Sequence, residues 1–322
     1  MKLDITTIIL TYNEEIHIQR CLENVCQFSK RVIVVDSPSN DNTQQIVRSL
    51  SPINSPQGEG CHSGMTENGC RIDLVVHKYP GNQAEQFNWA LDNVHIDTEW
   101  VLRVDADEYL TAELIGEMQE KLPTLPAEVS AVVLPLGRAF MGRVLKHGIV
   151  NGIKMIRLFR YGKVRYEQRL MDEHLKVLEG ETVTFDNKFI DDNRMSIKSF
   201  VDKHNNYSSR EAALLLEAEY KLRYENENED ENKLAEEVAA KRAQKAKYAK
   251  MPLFWRSFAY FVYRYIVKMG FLDGKEGFLW DFFQGFWYRM LVDAKVFECK
   301  KACGNDKEKI REFIRTRWGI EV

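Results

Sequence analysis

Three observations predict an α/β fold: a mainly parallel sheet flanked by helices, with an α-helical C-terminal extension. Short apolar, β-branched runs alternate with helix-patterned stretches from residue 3 to residue 122, the signature of strands joined by crossover helices. Three of the apolar runs end in polar, acid-containing clusters. Beyond residue 195 the strand pattern gives way to helical, then aromatic and basic sequence.

Each element follows from its residues. LDITTIIL (3–10) is rich in β-branched types and reads as a buried strand. Residues 14–28 place Ile16, Cys21, Leu22, Val25 and Phe28 at helical spacing. RVIVVD (31–36) is a second buried strand; a turn follows, and Asp41 or Asn42 caps the helix TQQIVRSL. Residues 51–70, polar and rich in Gly, Ser and Pro, read as a long surface loop. RIDLVVH (71–77) is a third strand, and Gln83 to Asn93 form a helix with Phe87, Ala90 and Leu91 on one side. EWVLRVDADEYL (99–110) is a fourth strand ending in acids, and Thr111 opens a helix that stops before Pro123. Residues 129–136, 153–160 and 174–185 suggest further strands, and 196–222 a helix. Glu225 to Glu237 holds seven acids and one Lys, a solvated helix or linker. The expected domains are 1–195 and 196–322.

The chain has 322 residues, 44% apolar and 29% charged. These are globular proportions, which exclude a wholly disordered or fibrous chain. The net charge of −3 argues against nucleic acid as a partner, since such domains show a basic excess. The N-terminus lacks a secretory pattern. The best candidate span, Leu253 to Met269, is interrupted by Arg256, Arg264 and Lys268, so no run reaches the roughly 18–20 apolar residues needed to cross a bilayer. A cytoplasmic protein is expected, lying on the cytoplasmic face of the inner membrane if it meets a membrane. The six cysteines form no C-x-x-C pair and read as reduced thiols rather than a zinc site.

In a parallel sheet the ends of strands one, two and four lie on one edge, where such sheets bind ligands. The edge collects Thr11, Asn13 and Glu14, then Asp36 and Ser37, then Asp105 and Asp107. Asp105 and Asp107 are two residues apart, so in extended backbone they point the same way. With a diphosphate they supply hard oxygen donors suited to Mg2+ or Mn2+. The bland alternative is that these acids cap the helix after Thr111.

TYNE (11–14), VVDSPSNDNT (34–43) and DAD (105–107) resemble, in order and spacing, the family 2 glycosyltransferases with the GT-A fold. The resemblance covers residues 3–185. RCLENV (20–25), QAEQFNWALD (83–92) and VLRVDADEYL (101–110) are similar to bacterial transferases that build lipopolysaccharide core, O-antigen or capsule, and residues 270–298 resemble the tail of that subgroup. The resemblance implies an inverting enzyme that moves a sugar from a nucleotide sugar, a UDP-sugar foremost, to a glycan or lipid-linked saccharide. It assigns Thr11, Asn13, Glu14, Asp36 and Ser37 to the nucleotide pocket, with Lys78 and Gln83 as further choices. By the same resemblance Asp105 would lie near ribose and diphosphate, and Asp107 would be the direct ligand of Mn2+ or Mg2+. In RLMDEHL (169–175) it implies a catalytic base, Glu173 first and Asp172 second, with His174 completing the metal shell or bonding the base. Arg138, Arg143 and Lys146 lie in a glycine-containing stretch that the resemblance places over the acceptor side, either a mobile lid or an ordinary loop. Competing readings are a noncatalytic scaffold on a transferase fold, a phosphotransferase using Asp105, and a nucleotidyltransferase.

Of the 36 aromatic residues, 15 lie between Met251 and Met290, and Lys241 to Gly270 holds eight basic residues and no acid. Arg256, Arg264 and Lys268 fall on one helix face. That is the pattern of a helix in the headgroup region of a membrane. Packing on protein, including a homo-oligomer, accounts for the aromatics equally.

Overall fold

The structure, a computed structural model, describes residues 2–51, 61–150, 152–167, 175–222 and 251–321. It divides into two compact units: Met1–Leu145 with Val150–Arg194, and Lys146–Ile149 with Met195–Val322.

The first unit is built on an 11-stranded mixed sheet. Its parallel part is β1 (Leu3–Thr11), β2 (Ser29–Asp36), β4 (Arg71–Val76) and β5 (Trp100–Asp105), in the order β4-β2-β1-β5. The connecting helices are α1 (Ile18–Val25), α2 (Thr43–Leu50) and α3 (Gln83–Asn93). The strands are apolar on both sides because both sheet faces are covered. Ile5, Ile9, Val32 and Val34 pack with Ile18, Leu22 and Val25 of α1 on one face. Ile8, Ile33 and Val35 pack with Phe87 and Ala90 of α3 on the other. Each such fully buried side chain contributes about 1.5–3 kcal/mol relative to exposure.

Beyond β5 the sheet turns antiparallel. β6 (Glu108–Leu110) and α4 (Ala112–Lys121) are followed by the 12-residue β7 (Val129–Phe140), its hairpin partner β8 (Arg143–Leu145) and β9 (Lys154–Arg160). β9 lies between β5 and β7, antiparallel to both. β10 (Val164–Tyr166) and β11 (Leu175–Val177) make a separate two-stranded ribbon; β12 (Glu181–Thr184) and β13 (Phe189–Asp191) pair with β7.

Three local expectations change. The stretch read as a loop over 51–70 contains β3 (Cys61–Met65), antiparallel to β4. CHSGM lacks the usual strand formers, and backbone pairing at the sheet edge makes it a strand. The fourth strand is split, because the chain turns at Ala106 and Asp107 and returns as β6. The glycine stretch after Gly137 is not an open lid: Arg138 to Phe140 pair with Arg143 to Leu145 across a turn in which Met141 and Gly142 have φ of 51° and 84°. Those positive angles fit the two-residue turn that matches strand twist.

The second unit is helical. α5 (Ile197–Tyr220) packs against α8 (Tyr288–Cys303) through Ala212, Ala213, Leu216, Val292 and Val296, with Ile310 of α9 (Lys307–Phe313) closing the cluster. α6 (Trp255–Val262) continues as a π-helical turn to Val267, and α7 (Gly274–Trp280) continues through a π-helical stretch into α8. Lys146–Ile149 are pinned within this unit, because the Asp273 carboxylate accepts the Lys146 and His147 amides at 2.9 and 2.7 Å.

The expected basic face of α6 is reversed. Arg256 and Arg264 point inward and are buried. Arg256 Nε donates to Asp293 Oδ1 at 2.8 Å; Asp293 Oδ2 also accepts from the Phe254 amide and Ser257 hydroxyl. Arg264 Nε donates to Asp281 Oδ1 at 2.8 Å. A Cβ on Gly270 would lie 1.9 Å from Asp281 Oδ2, so only glycine fits beside that pair. Part of the aromatic set packs internally, with Phe261 edge-on to Phe278 and Phe282. Among the described residues no helix is long and apolar enough to cross a membrane. The acidic run 225–237 lies outside them.

Removing one partner of a buried ion pair leaves an uncompensated charge. Asp293→Ala is therefore expected to destabilise the protein by about 3–5 kcal/mol, read as a lower midpoint in chemical denaturation. An unchanged midpoint would show that the Arg256 charge is solvated.

Candidate active site

Parallel register sets the site. Thr11 pairs with Asp36, Leu10 with Asp105, and Asp36 with Val76. The carboxyl ends of β2, β1, β5 and β4 therefore stop at one edge.

Asp36 organises that edge. Its carboxylate is fully buried, and among the described residues four donors and no cation reach it. Oδ1 accepts the Thr11 and Ser39 hydroxyls at 2.8 and 2.5 Å. Oδ2 accepts the Ser39 amide and the Gln44 side chain at 2.9 and 2.7 Å. Two oxygens offer about four lone-pair sites, so the group is saturated. Ser37 is buried; its amide donates to the Thr11 carbonyl at 2.8 Å and its hydroxyl accepts from Gln86 at 3.4 Å.

The loops after β1 and β2 are stitched together. Asn13, at φ 57°, donates its amide to Ser39 Oγ at 2.9 Å and accepts the Asn40 amide at 3.0 Å. Asn is among the few non-glycine residues that enter this left-handed region readily. The Glu14 amide donates to Thr43 Oγ1 at 2.8 Å. Its carboxylate accepts from the buried His17 Nδ1 at 2.6 Å, while His17 Nε2 accepts the Arg194 amide at 2.9 Å. That pairing fixes His17 as the Nδ1–H tautomer.

At the end of β5, Asp105 sits between two buried arginines. Arg103 donates to Oδ1 at 3.0 Å, and Arg157 to Oδ2 at 3.1 Å and to Glu108 Oε1 at 2.6 Å. Glu108 Oε2 closes the turn on the Asp105 amide at 2.9 Å. Burial alone would raise the Asp105 pKa; the charges of Arg103 and Arg157 overcome it and hold the carboxyl well below its ordinary range. Glu108 is pushed up to about 8, by burial and by the Asp105 charge, against the pull of Arg157. The Asp107 Oδ2 accepts from Asn193 at 2.9 Å, and its backbone carbonyl accepts from the Arg20 guanidinium at 3.0 Å. Gln83, at the start of α3, joins the cluster by accepting from Arg103 at 3.1 Å.

The structure thus brings Thr11, Asn13, Glu14, Asp36 and Ser37 into one network, and Gln83 and Asp105 into another beside Asp107. Lys78 is exposed on the loop after β4 and joins neither. Asp172, Glu173 and His174 lie outside the described residues. Arg138 pairs with Asp191 at 2.9 Å. Sequence reasoning missed Arg103 and Arg157. The available signal was an arginine inside an apolar strand, two residues before an aspartate and so on the same side of the strand. A hollow of about 330 Å3 behind the turn, lined by Arg20, Tyr109, Asp192 and Arg194, shares none of Thr11, Asp36 and Asp105.

Among the described residues no three His, Cys, Asp or Glu side chains converge as a metal-ligand set. A hard divalent cation beside a nucleotide needs only one or two carboxylates, the remainder coming from phosphate and water. Asp107 suits that role better than Asp105, whose two oxygens already carry guanidinium groups.

A parallel sheet with acids and turn-forming loops at its carboxyl edge defines a nucleotide-type binding fold. The chain belongs to glycosyl transferase family 2, whose pattern matches residues 6–172, just over half of it. It is 24% identical over 227 residues to glycosyltransferase SunS from the SPbeta prophage of Bacillus subtilis, covering 70% of this chain and 46% of that one. It is 30% identical over 115 residues to an uncharacterised glycosyltransferase of Rickettsia typhi, covering 36% and 32%. The chain thus spans less than half the length of these curated relatives. Among solved structures, S. aureus TarS 1–349 aligns with 99% of this chain and 92% of its own at 18% identity and a TM-score of 0.38. Glucosyl-3-phosphoglycerate synthase from Mycobacterium tuberculosis, in complex with Mn2+, uridine diphosphate and glucosyl-3-phosphoglycerate, aligns over 42% and 44% at 17% identity and a TM-score of 0.29.

The Asp36 network gives a stability test. Thr11→Val keeps the side-chain shape and removes one charge-assisted bond. A loss of about 1.5–3 kcal/mol is expected in chemical denaturation; wild-type stability would show that the carboxylate does not depend on Thr11.

Proposed function

We propose that the chain is an inverting glycosyltransferase that moves a sugar from a nucleotide sugar, in our reading a UDP-sugar, to a hydroxyl of a lipid-linked or cell-surface glycan. Lipopolysaccharide core, O-antigen and capsule assembly are the settings in which we place it. Residues 1–195 form the catalytic domain in this reading, and residues 196–322 the extension. The observation that carries the proposal is the alignment of Thr11, Asp36 and Asp105 at one edge of a parallel sheet in a family 2 chain.

In the mechanism, the loops held by Asp36, with Thr11, Asn13, Glu14 and Ser37, shape the pocket for the nucleoside. Lys78 and Gln83 flank it. Asp105, fixed by its arginines, faces ribose and diphosphate. Asp107, with Asp105 and His174 as further donors, would hold Mn2+ or Mg2+, which would supply positive charge where the diphosphate departs. Glu173, or Asp172 beside it, takes the proton of the acceptor hydroxyl as its oxygen bonds to the anomeric carbon. The bond from that carbon to the diphosphate oxygen breaks on the opposite face, and configuration inverts. A phosphotransferase using Asp105 as nucleophile is disfavoured, because two guanidinium groups stabilise its charge. We place the enzyme on the cytoplasmic side, at the inner-membrane surface where a lipid-linked acceptor is presented.

Calorimetry tests the metal assignment. UDP binding to the wild type is expected to strengthen about tenfold or more with Mn2+, and Asp107→Ala to abolish that gain. Equal wild-type affinity with and without metal would overturn it. Glu173→Gln should keep donor affinity and lose about a hundred- to ten-thousand-fold in transfer rate; full activity would move the base to Asp172 or elsewhere.

A further inference from the structure

The segment from Met251 to Phe278 is built inside out. Its arginines, Arg256 and Arg264, are 2% and 6% exposed and paired with Asp293 and Asp281. Its large apolar side chains face solvent: Trp255 is 73% exposed, Val267 61% and Ile266 55%, with Phe258, Met269 and Leu272 near one half. Trp255, Phe258 and Ile266 recur at helical spacing on the side opposite Arg256 and Arg264. Scattered apolar residues on a surface are ordinary, whereas a contiguous apolar face marks an interaction site.

Charge selects the occupant. The exposed charged residues of Met251–Phe278 are Lys268 and Lys275; its two acids are Asp273, which is buried, and Glu276, which is half-buried. The ten residues before Met251 carry Lys241, Arg242, Lys245, Lys247 and Lys250 and no acid. An apolar, aromatic face whose exposed charges are lysines matches the boundary between acyl chains and anionic headgroups. A second copy of the face would set lysine against lysine.

We propose that this face docks on anionic phospholipid, with α6 and the turn to Leu272 entering the headgroup layer and Lys268 and Lys275 contacting lipid phosphates. The buried Arg256–Asp293 and Arg264–Asp281 pairs act as the internal framework that lets the helix present apolar residues outward. This gives the peripheral placement proposed above, on which it builds, a defined surface and lipid class. The test reads vesicle binding, so its failure leaves the transferase reading standing.

The full chain is floated with vesicles of phosphatidylcholine alone and of phosphatidylcholine with 30% phosphatidylglycerol, roughly the anionic content at which a few lysines give a clear preference. The expected result is binding about tenfold tighter to the anionic vesicles. W255S/F258S should lower that binding about tenfold or more, with its circular dichroism unchanged, since Trp255 is largely exposed and Phe258 is half-exposed. K268E/K275E should remove most of the preference for anionic lipid. Should W255S/F258S fail to fold, I266S/V267S serves as the second variant. No flotation with either vesicle, or flotation unchanged by the apolar variants, overturns the proposal. So does light scattering that shows a stable oligomer broken by W255S/F258S, which would make the face an interface between copies.

Discussion

A carboxylate buried away from water needs a donor for each lone pair, and among the described residues Asp36 has four within 2.9 Å and no cation beside it. The four donors come from three residues at different structural levels, with Ser39 supplying two of them. Thr11 is the last residue of the neighbouring strand, Ser39 belongs to the turn after β2, and Gln44 starts α2. The strand register, the turn and the helix start must all be right for the charge to be tolerated. The Asn13–Ser39 and Glu14–Thr43 bonds then continue outward from this point, so the first loop takes its shape from the second.

The second unit solves a related problem in the reverse direction. Along α6 and the turn after it, two arginines go inward to matched acids, and several large apolar side chains go outward. Burial of an ion pair adds little net stability compared with an apolar core of similar volume. Arg256 and Arg264 are better understood through what they permit: a helix whose outward face is free of charge and whose inner face is nonetheless fixed in one geometry.

Much of the fold was legible from pattern alone. β1, β2, β4 and β5 are doubly covered strands, and continuous apolar runs are what such strands require. β3 was invisible because CHSGM carries no strand signal; its pairing comes from an edge of β4 that lies beyond a polar stretch. The helical period placed Arg256 and Arg264 correctly on one face, but period does not say which face is inside, because their partners are 17 and more residues away at Asp281 and Asp293. The strand-end acids were legible as a cluster. Their individual chemistry was not, because Arg157 reaches Asp105 from a strand 52 positions later. The residues read as the base, Asp172 and Glu173, rest on sequence resemblance.

The two arginines at the end of β5 also change the electrostatic potential of the edge. Read as sequence, Asp105, Asp107 and Glu108 present three negative charges to any approaching anion. Arg103 and Arg157 cancel two of them at contact distance, and burial pushes the Glu108 carboxyl up. Beyond a screening length of about 10 Å at 0.1 M salt, the cluster looks close to neutral. The repulsion that a diphosphate would meet at this end of β5 is thereby reduced at close range, where the guanidinium groups lie.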